Sequence, residues 1–366
     1  MNDTRIKLEE RISRLSAEQR ALLDRQLNKP RISGDELLAQ CLKHNGVSHV
    51  YGVPGQGVYE TIGEIAKLGI RIVSTRHQQP GAMMAAAHNY FAGTAEAVTV
   101  LCAGAAGLNA LTGIAIAYEN GWPLLALAST SPQTSKVDGY FMSMSIEETF
   151  RPITKAVIRV NSSEEIPGSI QKAVSLAMSG RPGPVLIVLP ENILRGPTAP
   201  LQCTAPGNDV PASAVAEQHS VNDAAKAIAA ASRPLLIVGK GMRWAGSLER
   251  LHQLVDEFDL PFLTSPEGAG FLSEEHALCL NAVAGQAQEQ ADLIMVLGAR
   301  LNWVFRYGKH FNAEATVIQV DIHEPEIGLN VTPTIGICAD AGSFLKLLFN
   351  ELRQTPKGQA TVERDT

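Results

Sequence analysis

The sequence predicts an α/β protein made of two doubly wound parallel-sheet domains. Three observations lead there. Apolar runs of strand length recur down the chain, for example over 97–102, 123–128 and 293–298, and continuous apolar strands suit parallel sheets covered on both faces. Segments of helical periodicity fall between them, the alternation expected of βαβ units. An aperiodic stretch rich in Pro, Ala and Ser divides the series in two, as linkers between domains do.

Bulk properties are compatible with that architecture. At 366 residues with 45% hydrophobic content, the chain is long enough for two or three domains with sizeable cores. A net charge of −6 argues against nucleic acid or an anionic membrane as the main partner. No apolar run approaches the roughly 20 residues that span a bilayer. The opening MNDTRIKLEERISRL is charged throughout and lacks the apolar core of a signal peptide, so a cytoplasmic location is expected. Five cysteines, at 41, 102, 203, 279 and 338, show no CxxC or Cys/His pairing; free thiols are expected and a structural zinc is not.

Taken in order, residues 1–30 predict a helical arm of two short amphipathic pieces, the second capped by Ser16 with Gln19 closing a capping box. The first domain spans 31–195. Its predicted strands are 47–53, 70–75, 97–102, 123–128, 156–160 and 184–189, with helices over 34–44, 59–67, 82–90, 107–118 and 165–178. Two of its strands end in glycine-bearing loops, YGVPGQG and CAGAAG, where backbone can approach a ligand closely. A linker covers 196–218. The second domain, 219–353, has predicted strands 235–239, 261–264, 293–298, 317–322 and 335–338 and is Rossmann-like. Gly239-Lys240-Gly241 would let backbone approach a phosphate there. The tail, 354–366, is polar and expected to be disordered.

The chemistry is concentrated where the strand at 70–75 breaks into Arg76-His77-Gln78-Gln79 before an Ala/Met-rich helix. That break puts polar side chains at the carboxyl edge of a sheet, where open α/β folds bind ligands. The succession YGVPG, RHQQ, CAGAAGLNALTGIAIAYENGWPLLAL and SGRPGPVLIVLPENI resembles the pyrimidine-binding domain of the thiamine diphosphate enzymes related to acetolactate synthase. FRPITKAVIRVNSSEEIPGSIQKAVSLAMSGRPGPV and GARLNW bring the resemblance closest to oxalyl-CoA decarboxylase and 2-hydroxyacyl-CoA lyase.

The resemblance implies a thiamine diphosphate pyrimidine-binding fold followed by a Rossmann-like middle domain that holds ADP, FAD or nothing. It assigns Gln78, His77 and Gln79 to catalysis. Gln78, Pro54, Gly55, Gln56, Gly104 and Asn109 are assigned to the cofactor, with Arg300 and Asp321 as nucleotide contacts. His77 either faces substrate or makes a structural hydrogen bond. In the family the position of Gln78 is a Glu that promotes deprotonation of the thiazolium carbon. A carboxamide hydrogen-bonds but exchanges no proton near neutral pH, and losing such a relay removes roughly two to four orders of magnitude in rate. A slow active site, a non-catalytic subunit and an engineered replacement all fit. Glu60, Glu64 and Glu119 are the acidic alternatives in neighbouring motifs.

The family's diphosphate-binding domain uses a GDG motif and a later Asn to hold Mg²⁺. No GDG occurs here; Ser33-Gly34-Asp35-Glu36 comes nearest, and no metal ligand is assigned in this chain. The expectation is a split lyase or carboligase acting on a 2-oxo acid such as pyruvate, with an acyl thioester as a further partner in reaction. A second subunit would bring the diphosphate-binding surface and Mg²⁺, around a homodimer core within a heterotetramer. The alternative is a catalytically inactive regulatory or nucleotide-binding subunit.

Overall fold

The parallel strands form because their apolar residues alternate between two covered faces. In the computed structural model, which describes residues 15, 16, 19, 31–133, 144–200, 202, 203 and 214–355, Val50, Val98, Val100, Leu125, Leu127, Val185 and Ile187 pack on one side of a sheet. Ala97, Leu124, Ala126, Leu186 and Val188 pack on the other. Burying one such aliphatic side chain contributes about 1.5–3 kcal/mol, so each register is held by its whole face.

The first unit contains β1 (Ile32–Ser33), α1 (Gly34–His44), β2 (His49–Gly52), α2 (Tyr59–Lys67), β3 (Arg71–Ser74), α3 (Gln78–Ala92) and β4 (Ala97–Leu101). It continues through α4 (Ala105–Leu108), α5 (Leu111–Asn120), β5 (Leu124–Thr130), α6 (Glu147–Phe150), β6 (Ala156–Arg159), α7 (Ile166–Met178), β7 (Pro184–Pro190), α8 (Glu191–Arg195) and β8 (Pro197–Thr198). Six parallel strands lie in the order β3-β2-β4-β5-β7-β6, and β1 pairs antiparallel with β8. The chain leaves β2 for β3 on one side and returns to β4 on the other. The switch point therefore lies between β2 and β4, which is where such sheets open a crevice at their carboxyl ends.

The second unit contains α9 (Gln218–Ala230), β9 (Pro234–Val238), α10 (Leu248–Phe258), β10 (Phe262–Thr264), α11 (Ala284–Gln290), β11 (Leu293–Leu297), β12 (Thr316–Asp321), β13 (Ile335–Cys338) and α12 (Ala341–Gln354). Its five parallel strands run β10-β9-β11-β12-β13, with the switch between β9 and β11. Two compact units result, the first built within Met1–Met178 and Gly183–Asp209, the second within Ser179–Pro182 and Val210–Thr366. Both are the doubly wound α/β sheets that the apolar pattern predicts.

Three details depart from or refine the expectations. The helix expected from Ala82 starts four residues earlier, at Gln78, because the His77 ring caps it. Cys41 and Cys203 form a disulfide, not two free thiols; α1 buries Cys41 against the segment after β8, which brings the two Cα atoms to 5.0 Å. Among the described residues Cys102, Cys279 and Cys338 stay free. Ser16 and Gln19 make the two reciprocal bonds of a capping box, Ser16 N–H to Gln19 Oε1 at 3.0 Å and Gln19 N–H to Ser16 Oγ at 3.1 Å. The rest of the expected arm and the tail beyond residue 355 lie outside the described residues. No helix among the described residues is long and apolar enough to cross a membrane.

Candidate functional site

Four loop segments converge at the β2/β4 switch point. The loop after β2 lies directly against the start of the loop after β4: Ala103 N–H donates to Gln56 O at 3.4 Å, and the Cys102 thiol donates to Val53 O at 3.3 Å. Gly55 is what permits the approach, since a Cβ there would lie 2.5 Å from Cys102 Sγ. Gly104 follows with φ of 64°, a left-handed turn that starts α4.

Gln78 enters from the third side, as the first residue of α3. His77 is its N-cap, with Nδ1 accepting from Gln79 N–H at 3.2 Å. That cap satisfies one of the helix's otherwise unpaired donors, so the His77 ring is used structurally and stays exposed. Gln79 lies half-buried in the same turn. The Gln78 side chain is buried, 6% exposed. Its Oε1 accepts from Asn109 Nδ2 at 3.3 Å, and its side chain shares a hydrogen bond with Cys102. Burial pushes the Cys102 thiol pKa up, and the Gln78 bond only partly offsets this; the thiol stays protonated near neutral pH. Next in the sheet, at the end of β5, Ser129 Oγ and Thr130 Oγ1 are buried with no hydrogen-bond partner among the described residues.

Gln78, Gly55, Gln56, Gly104 and Asn109 therefore gather at one edge, with Pro54 exposed on the rim. Cys102 and Ser129 join them, and neither was singled out from sequence; CAGAAG pointed to glycines, while the thiol in front of them carried no signal. Two of the acidic alternatives are occupied elsewhere. Glu64 pairs with Lys67 at 2.7 Å, and Glu60 pairs with Arg195 at 2.6 Å. Arg195 is the other residue that sequence reasoning missed. It ion-pairs with buried Asp35 and donates to Gly57 O at 3.1 Å, bracing the loop after β2. Asp35 also accepts from Thr61 Oγ1 at 2.5 Å. The segment nearest to a GDG motif is thus committed to a structural ion pair.

Arg300 and Asp321 lie in the second unit, at the carboxyl ends of β11 and β12. Arg300 Nε pairs with Glu326 Oε1 at 2.8 Å. Asp321 accepts from His323 N–H at 2.8 Å, and burial pushes its pKa up to about 6. The Gly239-Lys240-Gly241 turn packs closely on its neighbouring backbone. A Cβ on Gly239 would collide with the Gly298 carbonyl, and one on Gly241 would lie 2.8 Å from Gly298 Cα. These glycines serve backbone packing, sealed by Gly241 N–H to Gly298 O at 3.0 Å.

Residues 32–149 match the family model described as the thiamine pyrophosphate enzyme N-terminal TPP binding domain, and 221–348 match the thiamine pyrophosphate enzyme central domain. The chain is 33% identical over 339 residues to human 2-hydroxyacyl-CoA lyase 1, covering 90% of this chain and 57% of that protein. It is 31% identical over 339 residues to oxalyl-CoA decarboxylase of Escherichia coli, covering 91% and 60%. A third relative, "Probable acetolactate synthase large subunit" of Methanocaldococcus jannaschii, is 31% identical over 334 residues, covering 88% and 56%. The chain thus spans less than two thirds of the length of these relatives. It belongs to the thiamine pyrophosphate enzyme family, of which it carries the N-terminal TPP binding domain and the central domain.

Proposed function

We propose that this chain supplies the pyrimidine-binding half of a thiamine diphosphate site in a lyase or carboligase acting on 2-oxo acids, with acyl thioesters as the further reactant class. The observation that carries the reading is the buried Gln78 carboxamide at the switch point, oriented by Asn109. The names of the relatives support the substrate class, since two of them are acyl-CoA enzymes.

The residues fit an aminopyrimidine as a hydrogen-bonding guest. With Oε1 held by Asn109, the Gln78 amide N–H group would be the donor offered to a ring acceptor, and the unpartnered Ser129 and Thr130 hydroxyls add polar capacity nearby. The cofactor, when bound, supplies a nucleophilic carbon that attacks a carbonyl and takes up the electron pair of a breaking C–C bond. Gln78 binds and orients, but it moves no proton at neutral pH. Gly55 and Cys102 hold the loops after β2 and β4 against each other. Among the described residues no acidic group with metal-ligand geometry lies at this edge. In this reading the diphosphate and its Mg²⁺ are held outside the two domains described here, by a second subunit on a homodimeric core of this chain.

Native mass spectrometry of the protein taken from its own host tests the proposal. The expected result is a stoichiometric second polypeptide with thiamine diphosphate and Mg²⁺ released on denaturation. A homo-oligomer that carries only a nucleotide, and stays inert toward 2-oxo acids, would instead establish the regulatory or nucleotide-binding reading.

A further inference from the structure

The opposite, amino-terminal edge of the first sheet carries a second constellation. His49 opens β2, Glu96 immediately precedes β4, and His88 reaches them from the last turns of α3. One ligand atom from each lies within 4.8 Å of the others. His88 Nε2 and Glu96 Oε1 are 2.9 Å apart, and the two imidazole centroids are 4.5 Å apart. We propose that His49, His88 and Glu96 form a binding site for a divalent transition-metal ion of the Zn²⁺ class, clamping α3 to β2 and β4.

The surroundings are those of a ligand set. Each histidine has Nδ1 beside a hydroxyl: Tyr51 Oη at 2.9 Å from His88, and Ser48 Oγ at 2.8 Å from His49. Outer hydrogen bonds of that kind orient a metal-bound imidazole and select its tautomer. Glu96 is held on both oxygens, by Ser48 Oγ at 3.3 Å and Thr94 Oγ1 at 3.2 Å.

A tetrahedral ion with bonds of about 2.0–2.1 Å needs ligand atoms about 3.3 Å apart. The His88–Glu96 pair is near that separation already, and side-chain rotation closes the rest. Proton balance is simple. In the neutral Nε2–H tautomer, His88 donates to Glu96 and accepts at Nδ1 from Tyr51. With metal, the proton moves to Nδ1 and is donated to the Tyr51 oxygen, freeing Nε2 as ligand. Imidazole with a carboxylate selects Zn²⁺, Co²⁺ or Ni²⁺ over Mg²⁺ or Ca²⁺. Arg71, opposite His49 in the β2–β3 register, is the positive charge that opposes the ion.

Titration of Zn²⁺ into the chelator-treated full chain tests the site. The expected isotherm has one ion per chain, micromolar or tighter, and a rise in melting temperature. His49→Gln and Glu96→Gln, each checked for native circular dichroism, should weaken binding at least tenfold. Co²⁺ on the unmodified chain gives an independent reading: visible d–d bands without thiolate charge transfer are expected. Absence of stoichiometric binding, affinity unchanged in both variants, or a thiolate charge-transfer band placing the ion on cysteine would each overturn the assignment.

Discussion

The two sheets reverse their winding in the same way, yet their switch points hold opposite chemistry. Between β2 and β4 the loops leave a buried carboxamide, a neutral thiol and two unpartnered hydroxyls. Between β9 and β11 the backbone itself fills the gap through Gly239, Gly241 and Gly298, and the charges around it neutralise one another. Lys240 pairs with Glu267 at 2.6 Å and Arg300 with Glu326 at 2.8 Å. Topology alone therefore provides a place for a ligand. Unsatisfied polar capacity decides whether that place calls for one, because a buried polar group without a partner costs about 1–3 kcal/mol.

The largest expected effect sharpens the first switch point. Gln78→Glu restores a group that exchanges a proton, at a helix N-terminus that favours its charge. If the proposed function holds, turnover should rise by about 10²–10⁴-fold. Unchanged steady-state rates would remove Gln78 from the catalytic path.

Glycine substitutions compare the two crevices directly. Gly239→Ala meets the Gly298 carbonyl, which is backbone and cannot turn aside, whereas Gly55→Ala meets only the Cys102 thiol. Urea unfolding should show a loss of about 3 kcal/mol for the first and about 1 kcal/mol for the second. The reverse order would mean that the second crevice is the looser one.

The brace of the first crevice comes next. Asp35→Ala leaves Arg195 without its buried partner, an injury of about 3–5 kcal/mol when the remaining charge is fully buried. Because Arg195 is part-exposed and keeps Glu60, about 2–3 kcal/mol is expected by chemical denaturation. Glu60→Ala should change stability by no more than about 0.5 kcal/mol, as exposed pairs do.

The smallest effect is a pH dependence in the second crevice. Asp321 has a folded pKa of about 6 against 3.8 for the free group. The native state therefore holds this proton more tightly than the unfolded chain, so the associated stability is full below pH 3.8 and is lost as pH rises through 6. Asp321→Asn keeps an acceptor for His323 N–H and removes the buried charge. It should stabilise the protein by about 1–2 kcal/mol at pH 8, allowing for partial solvent contact. Thermal melts should show that gain shrinking to nothing near pH 4.

Much of the fold was legible because it rests on local periodicity. Gly34–His44, Tyr59–Lys67 and Ile335–Cys338 occur at the bounds their patterns predict. The start of α3 was misread because the Arg76–Gln79 run looks like loop composition, and only the His77 ring turning back to Gln79 N–H makes it a cap. Likewise, the close packing of Gly239 and Gly241 on Gly298 joins residues about sixty positions apart and leaves no mark in the local pattern. The Cys41–Cys203 disulfide joins residues 162 apart, beyond the reach of any spacing argument.

The sequence by itself determined the two parallel sheets, their glycine-bearing edges and the placing of Gln78 at a strand-to-helix junction. Strand and helix periods are local properties, carried by residues a few positions apart. Only the tertiary structure decided that Asn109 orients Gln78, that Arg195 braces Gly57, and that His49, His88 and Glu96 face one another. Those meetings depend on which strands become neighbours after each crossover, and residues brought together that way share no pattern along the chain.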